Sequence, residues 1–187
     1  IGDGELAETA DVVVSVPEMF AYWLQGGRIT VGFLSGAQVD RFGNLNTHWV
    51  EEKGKRVRLP GSGGAADIAT MAKRCIIIMN HEKRRFTSRI QFITSPGFGD
   101  GGNWREQNGL SGGGPSRVIT SMGIFSFEAE SHEMILSSYH PGITVEKIKS
   151  ETGWPLRVAD DVCETSPPTE EELIAVRKYD PKRVWTS

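Results

Sequence analysis

The sequence predicts an α/β fold with a mostly parallel sheet. Short runs rich in β-branched residues alternate with helix-like runs over residues 11–79. Such alternation is typical of parallel strands that are joined by helices. A glycine-rich turn, PGSGG at residues 60–64, also leads directly into one of the helix-like runs. In open α/β sheets, a loop of this kind often faces a ligand.

The elements of the first half follow in order. Residues 11–16 (DVVVSV) are predicted to form a buried strand, because the run is short, apolar and β-branched. Pro17 suits the first turn of a helix, which Gly26 and Gly27 end. The other predicted elements of this half are a strand at 28–34, a helix at 65–73 and a buried strand at 75–79.

The second half is predicted to mix strands with irregular segments. A glycine-dense loop covers residues 96–115. Thr169 and Glu172 have the spacing of a capping box, which begins a helix that ends before Asp180. The remaining predicted elements are strands at 89–94, 117–120, 124–127 and 134–139 and a helix at 144–152.

Composition and charge favour one globular domain over residues 1–187. The 21 basic residues nearly balance the 24 acidic ones, which gives a net charge of −3. A nucleic-acid binder normally carries a basic excess, so no nucleic-acid partner is expected. No apolar run reaches the length of a membrane span, so no membrane partner is expected either. Cys75 and Cys163 show neither metal-ligand nor disulfide spacing, which predicts no metal site and a reducing, cytoplasmic location.

The glycine-rich turn has two interpretations. Gly61, Gly63 and Gly64 can place backbone N–H groups, including that of Ala65, against an anion or a developing oxyanion at the start of a helix. The same glycines can simply form a tight turn between two elements. On residue types alone the tight turn is favoured.

A second loop, GAQVDRFGNLNT, follows the strand predicted at 28–34 and also has two interpretations. Gly36, Gln38, Asn44 and Asn46 would lie beyond the carboxyl end of that strand, where ligands of open α/β sheets bind. Amide side chains both donate and accept hydrogen bonds, so they can fix a carboxylate or a thioester. Ordinary turn chemistry explains the same residues equally well.

A charged run, HEKRR at residues 81–85, follows the strand predicted at 75–79. Most charged runs of this kind are solvated loops. Arg84 or Arg85 is the exception to consider, because a guanidinium suits bidentate contact with a phosphate. The other histidines are scattered and show no metal-ligand spacing.

Several motifs together resemble one known family. The chain resembles the beta subunit of family I CoA-transferases, in the glutaconate and 3-oxoacid branch, over nearly its whole length. The segments that carry the resemblance are GAQVDRFGNLNT, VRLPGSGGAADIA, IIIMNHEKRRF, ITSPGFG, VITSMGIFSF, YHPGITVEKIKSETGW and PPTEEELIAVRKYDPKR.

The resemblance implies an open sheet of the kind shared with sugar-phosphate isomerases, and transfer of CoA between short-chain oxo- or dicarboxylic acids. It implies acyl-CoA as a substrate rather than a permanent cofactor, and an alpha subunit as partner. By resemblance, the turn with Gly64 and Ala65 supplies the oxyanion donors. The remaining candidates would bind CoA or the acid. They are Gly36, Gln38, Asn44, Asn46, Gly61 and Gly63.

The family's nucleophilic glutamate is expected upstream of Ile1, in an N-terminal part that the chain is expected to lack and that a separate fragment could supply. Glu5 and Glu8 are then expected to be surface carboxylates. Two alternatives stay open. Relatives on this scaffold include ring-opening hydrolases and decarboxylases, and a further possibility is a structural subunit whose partner carries the site. A nucleotide-phosphate binder is disfavoured, because the glycine turn lacks a P-loop lysine.

Overall fold

The computed structural model describes residues 4–184. Ten strands are present in this part of the chain: β1 (Val31–Leu34), β2 (Gln38–Val39), β3 (Leu45–Asn46), β4 (Trp49–Glu52), β5 (Lys55–Arg58), β6 (Arg74–Met79), β7 (Pro115–Thr120), β8 (Gly123–Phe127), β9 (Met134–Tyr139) and β10 (Arg157–Glu164). Six helices accompany them: α1 (Glu5–Thr9), α2 (Val16–Glu18), α3 (Ala65–Met71), α4 (Trp104–Gln107), α5 (Val145–Ser150) and α6 (Glu170–Tyr179). A π-helical turn, Met19–Leu24, continues α2.

Six strands form one mixed sheet in the order β1-β6-β7-β8-β9-β10. The pairs β1–β6, β6–β7 and β9–β10 are parallel, whereas β8 pairs antiparallel with both of its neighbours. The prediction of an α/β fold with a mostly parallel sheet is therefore confirmed. Two antiparallel ribbons, β2–β3 and β4–β5, lie in the connection between β1 and α3.

The core lies against the central strands. Along β6 the side chains of Cys75, Ile77 and Met79 are buried, whereas Arg74 and Ile78 are exposed. This period of two shows that one face of the strand packs against the core. Helix α3 packs against β1 and β6, and it approaches β1 closely because Gly32 has no side chain where Ile68 lies.

Most predicted elements of regular structure are present. The helix that follows Ser15 begins with Pro17 in its first turn, and the Ser15 hydroxyl caps it by accepting from the N–H of Glu18 at 3.3 Å. Helix α6 has the predicted capping box, in which Thr169 and Glu172 bond reciprocally. The strands predicted at 28–34, 75–79, 117–120, 124–127 and 134–139 and the helices at 65–73 and 144–152 are also present, with slightly different ends.

The strand predictions at 11–16 and 89–94 are wrong. Residues 12–15 have no regular secondary structure and pair with no strand in the described part of the chain, and Val12 and Val13 are exposed. Residues 89–94 are irregular. Conversely, β10 and the ribbons β2–β3 and β4–β5 were not predicted. Their sequences are polar or mixed, and strand formation there depends on neighbours that a local pattern does not show.

Candidate active-site cleft

Three parallel strands of the sheet end side by side. Register partners Leu34↔Ile77 and Met79↔Thr120 bring the carboxyl ends of β1, β6 and β7 to one edge. Two depressions, of about 460 and 320 Å³, open at this edge and share Ser35 and Arg85. We call the two together the strand-end cleft. Open α/β sheets bind their ligands in this position.

Polar groups in the strand-end cleft come from the residues that directly follow each strand. Ser35 follows β1, Asn80 follows β6 and Ser121 follows β7, and all three line the larger depression. Because each is the first or second polar residue after an apolar run, the signal was present in the sequence. Sequence reasoning concentrated on glycine and asparagine loops and missed these three residues.

Arg85 is the only ionisable side chain that lines the strand-end cleft in the described part of the chain. Its guanidinium donates from Nε to Oε1 of Glu82 at 3.2 Å and from Nη1 to the Gly36 carbonyl oxygen at 3.4 Å. The rest of the charged run is distributed differently: Arg84 points to solvent, whereas His81 is buried. The described cleft lining therefore holds one cation, which is paired with Glu82.

His81 belongs to the core that supports the strand-end cleft. Its ring stacks on Phe86 with 3.9 Å between centroids, and its Nε2 lies 3.2 Å from the Thr152 hydroxyl. Burial lowers the pKa of the imidazole to about 4, so His81 is neutral at physiological pH. Its backbone N–H donates to the Ser121 hydroxyl at 3.1 Å, which fixes one wall of the cleft.

Two of the predicted glycines lie in the strand-end cleft. Gly36 and Gly61 both line the smaller depression, together with Thr47. The Gly61 N–H donates to the Thr47 carbonyl oxygen at 2.8 Å, and Gly61 has a φ of +96°, a conformation that favours glycine. The two glycine-containing loops that the sequence singled out are thus brought together at one site.

The predicted amides are committed to holding the loops. Asn44 is 1% exposed, and its Nδ2 donates to the Asp40 carboxylate at 2.9 Å and to the Gly99 carbonyl oxygen at 2.7 Å. Its Oδ1 accepts from the N–H groups of Gly97 and Gly99 at 2.9 and 3.0 Å. All donors and lone pairs of this amide are therefore used within the protein. This arrangement matches the second interpretation of the loop, in which its amides serve ordinary turn chemistry.

Asn46 has a similar role in the neighbouring ribbon. Its Nδ2 donates to the Gln38 side chain at 2.9 Å and to the Trp49 carbonyl oxygen at 2.7 Å, and its Oδ1 accepts from the His48 N–H at 3.0 Å. Neither Gln38 nor Asn46 lines the strand-end cleft. A direct ligand role for these amides stays a prediction.

Asn44 also lines a separate depression of about 440 Å³, together with Asp40 and Arg89. The Asp40 carboxylate accepts hydrogen bonds from the backbone N–H groups of Phe42 and Asn44 at 3.0 and 3.1 Å. Burial nevertheless raises the pKa of this carboxyl to about 6.

The turn before α3 contains three further candidate residues, and these lie outside the strand-end cleft. The Ala65 N–H already donates to the Ser62 carbonyl oxygen at 2.9 Å, and Gly64 packs against the Phe20 ring. Gly63 has a φ of +49° and open space around it. Gly63, Gly64 and Ala65 do not line the strand-end cleft, although Gly61 of the same turn does. An oxyanion role for Gly64 and Ala65 therefore stays a prediction.

The described residues contain no group of three or more His, Cys, Asp or Glu side chains that could hold a metal ion. Cys75 is buried, and burial raises the pKa of its thiol to about 11, as expected for a core cysteine. Among residues 4–184, no helix has the length and apolar character needed to cross a membrane.

The structure is that of an α/β protein with a cleft beyond the carboxyl ends of its parallel strands. The family model for coenzyme A transferase matches residues 2–151 of the chain. The chain therefore belongs to the coenzyme A transferase family, and its similarity to the relatives below makes it a subunit of the β type.

Individual relatives agree with this assignment. The chain is 55% identical to the B subunit of 3-oxoadipate CoA-transferase from Pseudomonas knackmussii, over 95% of the chain and 68% of the relative. It is 41% identical to the B subunit of glutaconate CoA-transferase from Acidaminococcus fermentans, over 71% of the chain and 50% of the relative. The crystal structure of glutaconate CoA-transferase from Acidaminococcus fermentans matches with a TM-score of 0.88 and 31% identity, over 100% of this chain and 74% of that chain.

Proposed function

We propose that this chain acts as the β subunit of an acyl-CoA:carboxylate CoA-transferase that moves CoA between short-chain oxo- or dicarboxylic acids. The observation that carries the proposal is the strand-end cleft, which is lined by neutral polar groups and one cation, Arg85. Both reactants of such an enzyme are anions, so the guanidinium of Arg85 in the cleft lining favours their binding. The 3-oxoadipate and glutaconate enzymes named above act on dicarboxylic acids by their names, which supports the same substrate class.

The proposed reaction has four covalent steps. A glutamate carboxylate attacks the thioester carbon of acyl-CoA, and CoA leaves as a thiolate, which gives an acyl-glutamyl anhydride. The thiolate then attacks the glutamyl carbonyl carbon and releases the first acid as a carboxylate. The acceptor acid takes the CoA from the resulting glutamyl-CoA thioester by the same two steps in reverse. A carboxylate is a weak nucleophile, so it must be desolvated and placed next to the thioester carbon.

The described part of the chain supplies the site but no suitable nucleophile. No Asp or Glu lines the strand-end cleft among residues 4–184. Glu8 lies exposed on α1, and the side chain of Glu5 lies outside the described residues. We therefore place the nucleophilic glutamate on a segment beyond residues 4–184 or on a partner chain. The chain spans 68% and 50% of the 3-oxoadipate and glutaconate relatives, which leaves room for further segments.

The proposed partner is a CoA-transferase α subunit, because both relatives are named as one of two kinds of subunit. The proposed location is the cytoplasm, where acyl-CoA is available. A buried Cys75 thiol and an exposed Cys163 thiol are both compatible with its reducing conditions.

Trapping of the covalent intermediate tests the proposed function. The native complex, with every chain that co-purifies, is incubated with glutaryl-CoA, treated with borohydride, and digested for peptide mass spectrometry. We expect one reduced glutamate, on a peptide outside residues 1–187. A label on Glu5 or Glu8 would overturn the proposed origin of the nucleophile but not the transferase chemistry.

The main competing function is acyl-CoA hydrolysis or decarboxylation on the same scaffold, and the absence of a carboxylate from the described cleft lining favours it. Such an enzyme consumes its acyl-CoA without forming a glutamyl thioester. Consumption of the acyl-CoA without an acceptor acid and without any label would therefore reject the transferase and support this alternative.

A further inference from the structure

We propose that Arg85 binds the distal carboxylate of a dicarboxylic acid substrate, which is the carboxylate that is not joined to CoA. Arg85 thereby selects dicarboxylic over monocarboxylic acids. This inference rests on the proposed CoA-transferase function and names a specificity-determining residue for it. The supporting observations are the position of Arg85, the way its guanidinium is held, and the local balance of charge.

Arg85 lines both depressions of the strand-end cleft. It lines the depression with Ser35, Asn80 and Ser121 and also the one with Gly36 and Gly61. Its side chain is 25% exposed, so it is accessible to a ligand but does not extend freely into solvent. A substrate that spans both depressions must pass this guanidinium.

The backbone and side chain of Arg85 are both fixed. Its N–H donates to the Glu82 carbonyl oxygen at 2.8 Å, and its own carbonyl oxygen accepts from the Val39 N–H at 2.8 Å. Glu82 and the Gly36 carbonyl oxygen use one guanidinium N–H each. Of the five N–H groups of an arginine, three then have no partner among the described residues. A pre-oriented guanidinium with free N–H groups suits a planar carboxylate.

The local charge also favours an incoming anion. Glu82 is shared by two guanidiniums, since Arg84 Nε lies 2.6 Å from Oε2 and Arg85 Nε lies 3.2 Å from Oε1. The hydrogen bond from Arg84 is the first cause that lowers the pKa of Glu82, so this carboxylate stays ionised and is mainly committed to Arg84. Two cations and one anion leave a positive charge, which faces the strand-end cleft at Arg85.

The same chemistry could serve a phosphate group of CoA. A carboxylate fits better, because the described cleft lining offers a single cation and otherwise neutral hydroxyl, amide and apolar groups. The phosphates of CoA carry several charges, and one partly neutralised guanidinium balances only one of them. The CoA-phosphate alternative is kept as an outcome of the test.

The test compares Arg85→Gln with the wild-type assembled enzyme on acids of equal length. The acceptor pairs are glutarate with pentanoate and adipate with hexanoate, and kcat/KM for each acid is measured at saturating acyl-CoA. Loss of a charged hydrogen bond to the distal carboxylate is expected to lower kcat/KM for the dicarboxylates about 10- to 100-fold. The values for the monocarboxylates should change by less than about twofold, because they lack the group that Arg85 binds. Arg85→Lys keeps the positive charge but lacks the planar set of N–H donors, so its loss of kcat/KM for the dicarboxylates should be intermediate.

Lys83→Gln is the matched control. Lys83 belongs to the same charged run, but its side chain is exposed and lies outside the lining of the cleft, so the ratio of dicarboxylate to monocarboxylate activity should stay unchanged. An equal loss for both kinds of acid in Arg85→Gln would overturn the proposal. So would a loss that appears as a raised KM for acyl-CoA and disappears with 3′-dephospho-CoA thioesters, because that pattern assigns Arg85 to a CoA phosphate.

A binding measurement separates this proposal from the proposed function. Isothermal titration of the assembled protein with glutarate and with pentanoate needs no turnover. Weaker glutarate binding in Arg85→Gln, with pentanoate unchanged, supports the site even if no CoA transfer is found. Identical glutarate binding by wild type and variant rejects the site even if the enzyme transfers CoA.

Discussion

At the scale of single residues, two side chains show how the loops around the strand-end cleft are held. Asn44 is nearly completely buried and uses its whole amide to join the segment at Asp40 to the segment at Gly97 and Gly99. The Asp40 carboxylate accepts three hydrogen bonds from this network, yet burial raises its pKa. The stability of this region should therefore depend on the protonation of one carboxyl.

The pKa of Asp40 gives a prediction with a definite sign. Its folded pKa of about 6 lies above its ordinary value of 3.8, so the folded protein binds the proton more tightly than the unfolded chain. The stabilisation from this proton is complete below about pH 4 and is lost as the pH rises to about 6, on the order of 3 kcal/mol in total. We expect Asp40→Asn to lack this component in urea unfolding measured from about pH 4 to pH 7.

The difference in unfolding free energy between wild type and Asp40→Asn should therefore fall with rising pH. Glu128 is the control of opposite sign, because its hydrogen bonds with Ser131 lower its pKa to about 2. The contribution of Glu128 is present above its ordinary pKa of 4.5 and is lost on acidification. A difference for Asp40 that rises with pH would show that its three donors outweigh burial.

The residues of the cleft were predictable only in part. Glycines at 36 and 61 and a candidate arginine at 84 or 85 were identified because turns and guanidiniums have local signatures. Whether Asn44 and Asn46 bind a ligand or hold a loop could not be decided, since both uses need the same amide. For Asn44, two of the partners, Gly97 and Gly99, lie more than fifty positions away in the sequence.

At the scale of elements, correct and incorrect strand predictions differ in whether a local sequence pattern is enough or a pairing partner decides. The apolar runs at β6 and β9 were predicted because each buries alternate side chains against the core. The run at 11–16 has a similar composition, but no described strand pairs with it, and its valines at 12 and 13 are exposed. Strand β10 is polar, yet it pairs with β9 in parallel. Pairing, which composition does not encode, decides these cases.

The junction between the π-helical turn and α3 gives a prediction at this scale. A Cβ added at Gly64 would overlap the ring of Phe20, so any larger residue at position 64 displaces that ring. We expect Gly64→Ala to destabilise the protein by about 1–3 kcal/mol through overpacking. Phe20→Ala makes room, so the double variant should be less destabilised than the sum of the single variants in urea unfolding.

The double variant also isolates the role of the turn in catalysis. With the steric conflict removed, turnover should recover along with stability if Gly64 only provides space. Turnover that stays low in a stable double variant would implicate the position of the backbone N–H groups at Gly64 and Ala65, because a displaced oxyanion donor costs up to about 2.7–4 kcal/mol in barrier. Phe20→Ala alone is the matched control for the missing ring.

At the scale of the whole molecule, the sheet has an open side at β1. This strand pairs only with β6 among the described residues, so its other edge presents free backbone groups. Phe33 is 66% exposed, and the register Phe33↔Ile76 puts it on the same face as Ile78, which is 49% exposed. An unpaired edge beside an apolar strip is a common site of association.

This open side predicts that the chain associates with other polypeptides. Residues 1–187 alone should show concentration-dependent self-association in sedimentation velocity, whereas the native assembly should contain a second polypeptide in constant ratio. Phe33→Thr keeps strand propensity but removes most of the exposed apolar surface, so it should reduce self-association and weaken the native assembly. Val57→Thr is the matched control, since Val57 is 40% exposed on the separate β4–β5 ribbon, and should change neither. A monodisperse monomer at tens of micromolar would contradict the prediction, because the unpaired edge of β1 and the exposed apolar strip would then not drive association.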